Sequence, residues 1–118
     1  MEYKLGEMEG RFADIIWAEA PVSSGRLVEL CMQQLSWKKS TTYTMLKRLC
    51  DKGLFENSSG QVTHCISREA FYARQGEELI REGFNGSLPR FVAAFAQNSA
   101  LSAEDIASLH ALIDSYKE

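Results

Sequence analysis

Residues 36–53 read Ser36-Trp37-Lys38-Lys39-Ser40-Thr41-Thr42-Tyr43-Thr44-Met45-Leu46-Lys47-Arg48-Leu49-Cys50-Asp51-Lys52-Gly53. The spacing predicts a helix capped by Ser40 and running to about Lys52, with Gly53 as the residue that ends it. Tyr43, Leu46, Leu49 and Cys50, with Met45 beside them, make its inward stripe. Thr41, Thr42, Thr44, Lys47 and Arg48 then fall on or beside the outward face. Small hydroxyl side chains let a helix approach a duplex closely and bond phosphates or base edges. The helix N-terminus itself favours phosphate, and Lys38, Lys39 and Ser40 stand at that end. The stretch holds five cations against Asp51 alone, in a chain whose net charge is −3. Net charge is an average, and a polyanion-binding face needs only a local excess.

Upstream, Leu5, Met8, Phe12, Ile15 and Ile16 recur every three or four residues and predict a helix over 5–18, with Trp17 extending its apolar face. Pro21 breaks the pattern, because proline disfavours a helical residue before it. Ser23 or Ser24 caps a second helix carrying Leu27, Val28, Leu30, Cys31 and Leu35. Downstream, Leu54-Phe55-Glu56-Asn57 and Val62–Ser67 flank the turn Ser58-Ser59-Gly60 and read as a hairpin of two short strands. Three helices followed by a hairpin make a winged helix-turn-helix, an arrangement that agrees with the nucleic-acid reading of residues 36–53. The wing tip, Asn57-Ser58-Ser59-Gly60-Gln61, carries no positive charge, so its contribution to backbone contacts is expected to be weak.

The remainder returns to helix. Residues 68–83 present Phe71, Tyr72, Leu79 and Ile80 on one face. A turn at Phe84-Asn85-Gly86-Ser87 leads to a short helix, 88–97, bearing Leu88, Phe91, Val92 and Phe95. Ser102-Ala103-Glu104-Asp105 resembles a capping box opening a last helix, 103–117, with Ile106, Leu109, Leu112, Ile113 and Tyr116. Some 45 residues of short amphipathic helices bury little alone. A second copy of the chain is the simplest cover for their apolar faces. Phe84, Leu88, Phe91, Val92, Phe95, Ile106, Leu109, Leu112 and Ile113 are the expected dimerisation residues. From Ala73 onward four basic residues face seven acidic ones, so the chain is polarised, basic early and acidic late.

The expected fold class is therefore mainly α: a winged helix-turn-helix over residues 1–72, then a helical dimerisation region over 73–118. At 118 residues, 45% hydrophobic and 25% charged, the composition is that of a soluble domain with an appendage. No apolar run approaches the roughly 20 residues that span a bilayer, and the acidic start Met1–Glu7 has no apolar leader, so no membrane insertion and a cytoplasmic location are expected. Cys31, Cys50 and Cys65 lack metal-ligand spacing, and two of them, on the helices, fall at apolar-periodic positions as small core hydrophobes do. His64 and His110 are paired with no nucleophile, and no glycine-rich phosphate loop follows a strand. Neither catalysis, nor a cofactor, nor a metal is expected. Two other readings belong beside DNA binding: a winged-helix protein-interaction module, motivated by the uncharged wing, and a redox or ligand sensor built on the cysteines.

Taken together, Gly6-Glu7-Met8-Glu9 with Ile16-Trp17, the run from Trp37 to Leu54, Phe84–Leu88 with Phe95, and Leu101–Ile106 resemble the penicillinase and methicillin-resistance repressors, the BlaI/MecI type. The resemblance spans nearly the whole chain. It implies a transcriptional repressor, homodimeric through interlocked C-terminal helices, bound to a palindromic double-stranded operator. It also implies relief of repression by a regulatory protease that cuts within the C-terminal region. The family's scissile pair is Asn-Phe; here the matching position is Ala94-Phe95. Copper-responsive relatives end in a Cys-x-Cys tail, which Ser115-Tyr116-Lys117-Glu118 lacks.

Overall fold

The computed structural model describes residues 4–116. Met1–Tyr3, at the acidic start, and Lys117 and Glu118, the end of the expected last helix and two of the charges counted above, lie outside them. In chain order the elements are α1 (Glu7–Glu19), β1 (Val22–Ser23), α2 (Ser24–Leu35), α3 (Lys39–Asp51), β2 (Phe55–Ser58), β3 (Gln61–His64), α4 (Arg68–Phe84), α5 (Leu88–Asn98) and α6 (Ala103–Ser115). The mainly α winged helix-turn-helix expected from the pattern is present. The residues fall into two compact units, one up to Gly76 and one from Glu77 onward. No helix of the described residues is long and apolar enough to cross a membrane.

In the first unit, Phe12 and Ile16 of α1, Leu27 and Cys31 of α2, and Leu46 and Leu49 of α3 meet in one core. Leu54, Phe55 and Val62 close it from the sheet and Phe71 from α4; all ten have relative exposures of 0–2%. At about 1.5–3 kcal/mol for each large side chain removed from water, this cluster is what holds three short helices in place. Trp17 adds an aromatic corner. Its indole Nε1 donates to the Ile66 carbonyl at 2.9 Å, and its ring lies 5.3 Å from Phe55, 5.7 Å from Phe71 and 6.2 Å from Tyr72. Trp37 packs on Phe12 at 5.1 Å.

The sheet has three antiparallel strands in the order β1-β3-β2. β2 and β3 form the expected hairpin, with Phe55 opposite His64 and Ser58 opposite Gln61. Its turn residues, Ser59 and Gly60, both have positive φ, 52° and 85°. That two-residue geometry matches the right-handed twist of the strands, and the Asn57 side chain accepts the Gly60 N–H at 3.1 Å. β1 was not expected from the pattern. It is two residues long, and Val22 is placed by pairing with Val62 across the sheet, a partner forty residues away.

In the second unit, Ser87 caps α5 by accepting the Arg90 N–H, and Ser102 caps α6 by accepting that of Asp105. Phe84 and Phe91 pack edge to face at 5.4 Å, with Phe95 6.2 Å beyond Phe91. No residue of α5 or α6 is buried.

Candidate nucleic-acid interface

The interface candidate is assembled around α3, and the chain's own chemistry fixes both of its ends. At the C-terminal end Gly53 takes φ +86°. Its N–H bonds the Cys50 carbonyl at 3.0 Å, and the Leu54 N–H bonds that of Leu49 at 3.1 Å. This crossed pair is the Schellman ending, and Leu49 and Leu54 both belong to the buried core. At the N-terminal end the expected cap, Ser40, is a correction. The helix starts two residues earlier, at Lys39, with Lys38 in the cap position, and no side chain caps it. By contrast α2, α5 and α6 are each capped by a serine side chain, and Ser67 does the same for the Ala70 N–H of α4. The first amides of α3 are therefore open to an external acceptor, and a helix N-terminus favours an anionic one.

Around that open end Lys39, Ser40, Thr41 and Thr44 are exposed, as is Lys38 just before it. Among the described residues no ion pair engages Lys38 or Lys39. Thr42 is the second correction. Expected on or beside the outward face, it is 1% exposed, and Tyr43, expected inward, is 37% exposed. The inward stripe is Thr42, Leu46 and Leu49, spaced four and three apart, and an equally regular stripe beginning at Tyr43 lies one position round the helix. The Thr42 hydroxyl finds no hydrogen bond of ordinary geometry. The Cys31 thiol beside it is a weak partner, and burial pushes that thiol's pKa up.

Tyr43 instead holds the parts of the interface together. Its hydroxyl donates to Ser24 Oγ at 3.1 Å, while the Ser24 N–H donates to the Gly60 carbonyl at 2.8 Å. Ser24 thus joins the start of α2, the face of α3 and the turn of the wing. Tyr43, Leu46, Lys47, Cys50 and Asn57 line an open concavity between α3 and β2. Burial also raises the Cys50 thiol pKa, while Cys65 is exposed.

The two cations in the C-terminal half of α3 are differently placed. Lys47 Nζ lies 3.2 Å from Asp51 Oδ2. The Arg48 guanidinium is turned towards α1, 3.8 Å from Glu9 Oε2. Sequence reasoning missed this second pair, because residues 9 and 48 meet only through the packing of α1 against α3. The wing tip remains without a cation, with Asn57, Ser58, Ser59 and Gln61 exposed.

Of the residues expected at a dimer interface, Leu88, Phe95, Ile106, Leu109, Leu112 and Ile113 are exposed, while Phe84, Phe91 and Val92 are half-buried. Ala94 and Phe95 lie inside α5.

The family model described as penicillinase repressor matches residues 5–115. The chain is 25% identical over 118 residues to the penicillinase repressor of Bacillus licheniformis, covering 97% of this chain and 92% of that one. It is 22% identical to the methicillin resistance regulatory protein MecI of Staphylococcus aureus (strain Mu50 / ATCC 700699), covering 95% of this chain and 94% of that protein. The same figures hold for MecI of Mammaliicoccus sciuri.

Proposed function

The chain belongs to the penicillinase repressor family, and from that premise we propose that it represses transcription by binding a palindromic operator as a homodimer. The observation that carries the proposal is the uncapped N-terminus of α3, with Lys38 and Lys39 beside it and Ser40, Thr41 and Thr44 exposed on its first turns. Lysines and open amides suit phosphates, and short hydroxyl side chains suit close approach to base edges. Lys47 stands one turn further along the same helix. Support for the homodimer is the apolar face left open by α5 and α6, where Leu88, Leu112 and Ile113 are each more than half exposed. A second copy is the cover that a symmetric operator calls for.

The test is binding to DNA from upstream of the protein's own gene, with a scrambled duplex as control, at two salt concentrations. The expected result is specific binding by two subunits per site that weakens steeply with salt. No binding at low salt would sink the reading and favour a protein-interaction module. Relief of repression by cleavage at Ala94–Phe95 is the finer part of the proposal. That bond lies within α5, so a protease would have to open the helix to reach it. Mass spectrometry of the chain recovered from induced cells reads the outcome: fragments ending at Ala94 support this route, and an intact chain removes it.

A further inference from the structure

Glu9 has two oxygens with two different tasks. Oε1 accepts the Gly6 N–H at 3.0 Å, closing the first turn of α1. Oε2 faces Arg48 Nη1 of α3 at 3.8 Å. The Glu9 side chain is only 17% exposed and that of Arg48 54%. An ion pair between two exposed side chains is weak and easily exchanged, but taking a cation from beside a mostly covered carboxylate costs more. Lys47, the neighbouring cation, lies against Asp51 on its own helix. The C-terminal half of α3 is thus neutralised by the protein's own carboxylates, while no ion pair among the described residues engages Lys38 or Lys39.

We propose that Glu9 is a positioning residue for DNA binding: it holds Arg48 off the nucleic acid and ties the recognition helix to α1. Contact with phosphate is left to the N-terminal half of α3. The inference rests on the proposed operator binding, and it removes Arg48 from the set of DNA-contacting residues that the sequence pattern suggested.

The dependence of binding on salt reports how many phosphates a protein neutralises, with log K falling by about 0.9 per contact for each tenfold rise in salt. The experiment measures this slope on a short duplex of mixed sequence for the wild type, Arg48→Ala, Glu9→Gln and the double variant. Glutamine keeps an oxygen that can accept the Gly6 N–H and removes only the charge facing Arg48. The slope of Arg48→Ala is expected to equal that of the wild type. Glu9→Gln is expected to be steeper by about 0.9, because the freed guanidinium reaches a phosphate. The double variant returns to the wild-type slope, which separates the freed arginine from the mere loss of a negative charge. A shallower slope for Arg48→Ala, or an unchanged slope for Glu9→Gln, overturns the proposal. If the wild type binds no duplex at all, it is the repressor reading that fails. The tie between helices is then read from urea midpoints: a double variant destabilised by less than the sum of the single ones supports it, and strict additivity overturns it.

Discussion

Thr42 illustrates how a single residue can be misread from periodicity and still be understood. Threonine beside Tyr43 in a helix with a threonine-rich outer face looks polar and exposed. The structure buries Thr42 and leaves Tyr43 37% exposed, so the stripe is rotated by one position and the hydroxyl goes inside. A buried hydroxyl with a weak partner keeps its desolvation cost. Thr42→Val, nearly the same in shape, is therefore expected to raise stability by about 1 kcal/mol, read as a higher urea midpoint. An equal or lower midpoint would mean that the hydroxyl has a better partner than the Cys31 thiol. That thiol makes a second prediction. Burial raises its pKa, so above the ordinary thiol range, about 8.5, the folded chain keeps a proton that the unfolded chain has lost. Stability then falls as the pH rises through this window. The wild type should lose more stability between neutral and alkaline pH than Cys31→Ala does; parallel curves would show that Cys31 ionises alike in both states.

Among the elements, the helices were legible and the finer joints were not. Serine caps at Ser87 and Ser102 and the glycine at Gly53 announce three of the helix ends in the sequence itself, because each acts through neighbours a few residues away. The uncapped start of α3 was misread, since Ser40 is a fair cap by type and lies only two residues from the true one. β1 has no local pattern to read, and the Glu9–Arg48 pair needs the tertiary fold before it exists. The proposed division of labour between α3 and the wing gives a prediction at this scale. Lys38→Ala and Lys39→Ala should each flatten the salt dependence of DNA binding by about 0.9, whereas substitutions to alanine at Ser58 or Gln61 should leave it alone. Conversely, Gln61→Lys puts a cation on a wing that has none at its tip and should steepen the slope. If the alanine variants at the wing change the slope as much as the lysine variants, the open end of α3 is not the main phosphate contact.

At the scale of the whole molecule the two units differ in kind. The first has a core with twelve residues at 0–2% exposure. The second has no fully buried residue in α5 or α6, and its surplus of apolar faces without a partner was legible in the sequence. The geometry of the proposed cover by a second copy could not be read, since it would depend on surfaces that no local pattern describes. Ile113→Asp, on a side chain 58% exposed, is expected to cost little in the isolated chain and to shift the sedimentation profile from dimer to monomer. The melting temperature of the wild type should rise with protein concentration and that of the variant should not. A monomeric wild type would remove the homodimer reading. The positions of the tryptophans offer a way to follow the units separately. Both, Trp17 and Trp37, lie in the first unit, enclosed by Phe12, Phe55, Phe71 and Tyr72, and the residues from Glu77 onward contain none. Intrinsic tryptophan emission is therefore a built-in optical label for the winged helix alone, while circular dichroism sums over every helix. Superimposable melting curves from the two probes mean that the chain unfolds as one cooperative body; separated curves give the order in which its halves come apart.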